Sequence, residues 1–243
     1  MKINESKSNY IIYSRSKQEF TTRLLLNDIN LQRLSVIKLL GVWLEEDLSW
    51  NENTKQICKK AFSRIQMLSK LKYAGIQTSD LLTIYKLFIR SVTEYCSPVF
   101  HTSLTQQQVK KIEVIQSTSL KMILGSEYND YKSALSQTSL CSLYDRRCER
   151  MKSFAIKSAK DKFNKTMFPL NINYKNKDHF RVNFARTSKY MHSTIPQCQR
   201  YLNSYAKDNP DAFDWYIVLL LTLLQVIPVL WMMIHLDLIT FSQ

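Results

Sequence analysis

Apolar and polar positions along the chain change rhythm at Trp50. Before it, apolar residues come in short runs. "NYIIYSRS" is brief, aromatic and β-branched. "RLLLNDINLQ" places two apolar runs around Asn27-Asp28, residue types that tolerate positive φ, and so predicts a hairpin with a two-residue turn. "VIKLLGVWL" reads as a third strand. Together these predict a small antiparallel β-layer over positions 10–44.

After Trp50 the apolar period lengthens to that of a helix. In "NENTKQICKKAFSRIQMLSKLKYAG", Ile57, Ala61, Ile65 and Leu68 fall at i, i+4, i+8 and i+11, one face of a helix. Gly75 stands where positive φ ends such an element. "TSDLLTIYKLFIRSVTEYCSP" predicts a second helix capped by Ser79. Asp80 lies at its positive end, its stripe is Leu81, Tyr85, Phe88, Val92 and Tyr95, and Pro98 stops it. "LTQQQVKKIEVIQSTSLKMILG" offers Thr105 and Gln108 as a capping box and Gly125 at the far end. "SLYDRRCERMKSFAIKSAK" sets Tyr144, Cys148, Met151, Ala155 and Ala159 on one face. Residues 162–203 are polar and weakly patterned, which predicts short strand or coil. The expected class is α+β, mostly α: a β-layer within 1–50, a helical bundle over 51–161, a tail over 162–203, and an appended segment over 204–243.

Charge sharpens this picture. The formal net charge is +14 across 243 residues. Residues 204–243 hold one cation, Lys207, against Asp208, Asp211, Asp214 and Asp237, so the excess falls on the first 203 positions. Such an excess fits a polyanion, either nucleic acid or anionic lipid. Lys55, Lys59, Lys60 and Arg64 lie away from the apolar stripe of the first helix. Arg146, Arg150, Lys157 and Lys160 line one side of the last, interrupted by Asp145 and Glu149. Each basic stripe is open to two readings, a solvated face or one that contacts phosphates. The five cysteines form no CxxC and the four histidines show no zinc spacing, the usage of reduced thiols in a cytosolic or nuclear protein. "MKINESKSNY" has no apolar core and is not a signal peptide.

The order of these pieces resembles one family, the reverse transcriptases of non-LTR (jockey-like LINE) retrotransposons. "INESKSNYIIYSRS", "RLLLNDINL" and "KLLGVWLEEDLSW" follow the family's sequence of an asparagine-lysine segment, a strand, a hairpin, then "LG" and an acidic turn ending in tryptophan. "YKSALSQTSLCSLYDRRCERMKSFA" is similar to its Y-x-x-x-L segment and double arginine, and "STIPQCQRYLN" to its C-terminal end. The resemblance covers about residues 2–203. It implies a palm-edge remnant at 1–50 and a thumb-like helical domain at 51–161. It places Leu39, Leu40 and Gly41 in the primer-grip hairpin, where backbone nears the growing strand and glycine permits close approach. Glu45, Glu46 and Asp47 become a solvated turn with Trp50 docked in the core, not metal ligands. Lys7, or its neighbour Lys2, falls where the family has a lysine acting as general acid toward pyrophosphate.

The family's polymerisation needs Mg2+ held by an Asp-Asp pair, and no such pair occurs in these 243 residues. The expectation is a palm-edge, thumb and C-terminal fragment, catalytically inactive alone and without a cofactor of its own. The duplex contacts expected of it are Lys55, Lys59, Lys60, Arg64, Arg146, Arg150 and Lys157, together with the hairpin. Three alternatives stand beside this: a nucleic-acid-binding module derived from the enzyme, a non-functional relic whose helices merely pack, or a tail-anchored single-pass membrane protein. The last rests on "DWYIVLLLTLLQVIPVLWMMIHLD". Positions 215–234 carry no charge, with only Thr222 and Gln225 polar, and twenty residues span a bilayer core. Arg200 and Lys207 precede it and no Lys or Arg follows, so insertion leaves the N-terminal side in the cytosol.

Overall fold

A computed structural model describes residue 4 and residues 8–13, 23–171 and 179–213. Lys7 and the apolar segment 215–234 lie outside the described residues. Among the described residues no helix is long and apolar enough to cross a membrane. The class is mostly helical with small two-stranded sheets. The residues divide into two compact units. One holds the chain up to Phe154 together with Phe184–Gln197; the other holds Ala155–Asn183 and the residues from Cys198 on.

The expected single antiparallel β-layer is corrected to three separate pairs among the described residues. β1 (Asn9–Tyr10) runs parallel to β4 (Gln32–Arg33). β2 (Leu25–Leu26) and β3 (Ile29–Asn30) form the hairpin that Asn27-Asp28 foretold, with φ of 48° and 64° at the two turn residues. "VIKLLGVWL" is not one strand. It folds back on itself as β5 (Val36–Leu39) and β6 (Val42–Glu45), with Leu40 and Gly41 at φ 47° and 88°. Positive φ at both central residues is the geometry that matches the twist of paired strands. An apolar Leu in that position hides the turn from a composition-based reading.

Helix α1 (Asn51–Tyr73) buries Ala61, Ile65 and Leu68 of the stripe read from the sequence, and leaves its first position, Ile57, half-buried. It ends through Ala74 and Gly75, whose φ is 82°; the Gly75 N–H returns to the Lys72 carbonyl and that of Ile76 to Leu71. Across it packs α5 (Gln106–Leu124), whose capping box is present in full: Gln108 N–H donates to Thr105 Oγ1 and Thr105 N–H to Gln108 Oε1. The Lys72 ammonium closes the other end of α5, donating to the Met122 and Ile123 carbonyls at 2.6 and 2.9 Å.

The second helix departs from its reading at two points. It begins at Thr78, with Gln77 in the cap position, so Ser79 lies inside the first turn. It runs as α2 (Thr78–Ile84), a π-helical turn (Tyr85–Ile89) and α3 (Arg90–Glu94). The wider turn shifts the helical phase by about one residue. Leu81 and Tyr85 stay buried, but Ile89 takes the inward place and Phe88 turns out to 50% exposure. Beyond α3 the chain kinks at Cys96 into α4 (Ser97–Phe100), with Pro98 in its first turn. Leu81, Tyr85 and Ile89 join Ile115 and Ile123 of α5 and the α1 stripe in one cluster. A second cluster sets Trp50, as expected, against Val42 and Phe100.

Asp130 caps α6 (Tyr131–Gln137), accepting from the Lys132 and Ser133 amides. In α7 (Leu143–Lys160) the expected face is corrected. Tyr144 is 45% exposed, while Leu143 and Arg147 are fully buried in the first unit. Ala155 and Ala159 are buried in the second. The tail expected as short strand or coil has one antiparallel bridge, Leu170 to Phe180, and irregular chain over 181–187, but from Ser188 on it folds into helix: α8 (Ser188–Met191) and α9 (Thr194–Asp208). In the second unit Cys198 and Leu202 of α9 are buried with Phe168, Phe180 and Phe213, the last two in an edge-to-face contact at 5.1 Å. Asn203 brackets Phe180, accepting its N–H at 2.7 Å and donating to its carbonyl at 2.9 Å.

Candidate nucleic-acid interface

The turn at Leu40 and Gly41 sits on one wall of an open cleft of about 610 Å³. Lys38, Val42 and Trp43 continue that wall. Lys59, Lys60 and Arg64 come from α1, and Val92 and Tyr95 from the end of the second helix. Lys59 and Lys60 are exposed on α1 because they lie opposite its buried stripe. Lys38 holds its ammonium 5.7 Å from the centre of the Trp43 ring, a cation–π arrangement. The cleft therefore combines four cations with two aromatic rings.

Its walls are fixed by specific bonds. The Tyr95 hydroxyl donates to the Leu40 carbonyl at 2.7 Å and pins the turn. A Cβ added at Gly41 would meet the Tyr95 ring at 3.1 Å, so close packing and φ both call for glycine here. The Trp43 amide donates to Asn53 Oδ1 at 3.2 Å, which ties β6 to the first turn of α1. Arg64 donates to the Phe88 carbonyl in the π-helical turn, which also accepts from the Ser91 hydroxyl at 3.2 Å. Leu40, at 84% exposure, and Leu39, at 56%, form an apolar tip beside this basic wall.

The acidic turn after β6 is used for structure. Glu45 accepts from the Glu52 amide at 3.2 Å, satisfying a free donor at the start of α1. Glu46 pairs with Arg33 at 3.3 Å. Asp47 accepts from the Ser49 amide at 3.0 Å. Gln108 donates to the Ser49 carbonyl and Asn51 Oδ1 at 2.8 and 2.9 Å, so the α5 capping residue also anchors the turn. Among the described residues no group of three or more His, Cys, Asp or Glu could hold a metal.

The expected basic residues thus separate. Lys59, Lys60 and Arg64 share the cleft with Gly41. Lys55 is exposed and pairs with Glu52 at 3.3 Å, outside the cleft lining. Arg146 and Arg150 do not stand free. Both bind Glu94, Arg146 through a two-nitrogen contact and Arg150 at 2.6 Å, with Arg90 adding a third pair at 3.6 Å. Lys157 is exposed on the part of α7 that belongs to the second unit.

Glu94 is itself buried. Burial acts to raise its pKa, but the Arg146 hydrogen bond and the charges of Arg146, Arg150 and Arg90 prevail and hold the carboxyl below its usual value. The sequence reading passed over Lys38, Trp43 and Glu94. Lys38 was visible as the one cation inside an apolar run, and Glu94 as an acid on the inward side of its own helix. No family model, curated protein or solved structure matches this chain.

Proposed function

We propose that this chain is a palm-edge and thumb fragment of a non-LTR reverse transcriptase, and that it holds a nucleic-acid duplex along the cleft beside Gly41 without polymerising. The observation that supports this most is the meeting of Lys38, Lys59, Lys60 and Arg64 with the close-approach turn at Leu40-Gly41. Cations spaced along one helix suit a phosphate backbone. A glycine turn pinned by Tyr95 lets that backbone come near. Trp43 and Tyr95 offer flat apolar surface to sugar or base. These groups carry no base-edge pattern, so the binding is independent of sequence.

On this proposal the chain performs no polymerase step. The carboxylate pair that would hold Mg2+ is not in the sequence, and Glu45, Glu46 and Asp47 are spent on Glu52, Arg33 and Ser49. The residues present do not fit the metal site of the intact family.

Fluorescence anisotropy with a labelled RNA–DNA duplex tests the proposal. The expected dissociation constant is roughly 10⁻⁴–10⁻⁶ M near physiological salt, weakening as salt rises. The double variant Lys59→Gln/Lys60→Gln should flatten the slope of log affinity against log salt by about 1–2. Lys110→Gln, on the exposed side of α5, should leave it unchanged. Affinity that ignores salt, or that survives the double variant with its slope intact, would rule the cleft out.

A further inference from the structure

Arg147 is the largest fully buried side chain among the described residues. Its Nε, Nη1 and Nη2 have no hydrogen-bond partner there. An arginine keeps its proton inside a protein, and a charge removed from water without a counter-charge is among the costliest things a fold can contain. The two carboxylates whose charges reach it are already engaged. Glu94 serves Arg90, Arg146 and Arg150. Glu113 accepts from the Tyr131 hydroxyl and from the Leu143 and Tyr144 amides.

More unpaired polar atoms come from the short segment 97–102: Ser97 Oγ, His101 Nδ1 and Thr102 Oγ1. This segment meets α7 on both sides of Arg147. The His101 ring lies edge-on to Tyr144 at 5.2 Å, and its Nε2 is 3.2 Å from Cys148 Sγ. Burial raises the Cys148 thiol above its usual range. Burial and then the Arg147 charge lower the His101 pKa to about 4, so the ring is neutral and carries a single N–H. The orphaned set therefore comprises a guanidinium, two hydroxyls and one imidazole nitrogen. It has no anionic acceptor.

We propose that Arg147 binds a chloride ion, with the Ser97 and Thr102 hydroxyls supplying further donors. The full burial of the guanidinium selects a monatomic anion over a phosphate or a carboxylate metabolite, and a halide neutralises the charge without needing an exposed mouth.

Thermal melts of the full chain near neutral pH test this, with sodium chloride exchanged for sodium gluconate at fixed ionic strength. The wild-type Tm should rise with chloride; above the dissociation constant each tenfold increase multiplies the folded-to-unfolded ratio about tenfold. Arg147→Met should lose that dependence, and Lys110→Met should keep it. Should Arg147→Met fail to fold, bromide-soaked crystals of the wild type decide, since an anomalous peak is expected within hydrogen-bond reach of the guanidinium. A Tm indifferent to chloride, a dependence retained by Arg147→Met, or no bromide peak at Arg147 would each overturn the proposal.

Discussion

At the scale of single residues, Glu94 shows how one buried acid organises a basic surface. Its side chain is 3% exposed, while those of Arg146 and Arg150 are 27% and 50% exposed. Removing the charge leaves three guanidiniums facing one another with no counter-charge. Glu94→Gln should therefore destabilise the fold by about 2 kcal/mol near neutral pH, below the usual cost of breaking a buried pair because two of the arginines reach water. The effect also has a definite pH sense. The folded carboxyl titrates below its ordinary value of 4.5, so between the two values the unfolded chain binds more protons. The stabilisation is complete above the ordinary value and is lost as pH falls through the folded one. Urea unfolding at a series of pH values checks this. The gap between wild type and variant should be constant near neutrality and close in acid. A gap that persists unchanged into acid would mean that Glu94 acts by shape and not by charge.

At the scale of elements, the π-helical turn Tyr85–Ile89 reverses what periodicity says about two neighbours. Phe88 lies on the apolar stripe of an unbroken helix, yet it is half exposed, and Ile89 is buried at 1%. Ile89→Ala should cost about 2–4 kcal/mol, as a methyl-rich side chain leaves a packed cluster. Phe88→Ala should cost less than about 1 kcal/mol, since most of its surface already meets water. Equal losses, or the opposite order, in chemical denaturation would put the helix back in regular phase. The elements most legible in the sequence were those whose ends carry local chemistry. Thr105 and Gln108 announced the capping box, Gly75 the end of α1, and Asn27-Asp28 a hairpin. The elements missed were those settled by tertiary contact. One inserted residue in a π-turn has no composition of its own. The Leu40-Gly41 turn, which periodicity hid and only the family resemblance suggested, places an apolar residue at positive φ, held there by Tyr95 just beyond α3. In α9 the inward positions include Gln199 and Asn203, whose amides fasten the Asn183 and Phe180 backbones, so its buried face reads as polar. The same holds for the candidate site. The cations of α1 were readable from spacing, but their meeting with Lys38 and Trp43 was not, and neither was the capture of Arg146 and Arg150 by Glu94.

At the scale of the whole molecule, the charge distribution and the apolar segment 215–234 bear on where the chain resides. The basic excess precedes residue 204, and twenty uncharged positions follow close behind. At 1.5 Å per residue in a helix, twenty residues match a bilayer core of roughly 30 Å. Trp215, Tyr216 and Trp231 stand near the two ends, where aromatic rings favour the interface. Pro228 removes one backbone donor, which membrane helices accommodate. On this ground we propose that the tail anchors the chain, with Arg200 and Lys207 keeping the basic part on the cytosolic side. The cleft beside Gly41 would then work at a membrane surface, and duplex binding and anchoring are separate properties that can fail separately. The fold dictates where to cut. Phe213 is fully buried and packs edge-on to Phe180, so a truncation ending before it would damage the second unit and confuse the result. A chain ending at Phe213 keeps that contact and removes the whole apolar run. Full-length protein expressed in cells should stay in the membrane pellet after carbonate extraction, and the chain ending at Phe213 should appear in the supernatant. Both should bind the labelled duplex with the same salt slope, because the anchor contributes no phosphate contact. Full-length protein released by carbonate would refute the anchor and leave the cleft untouched.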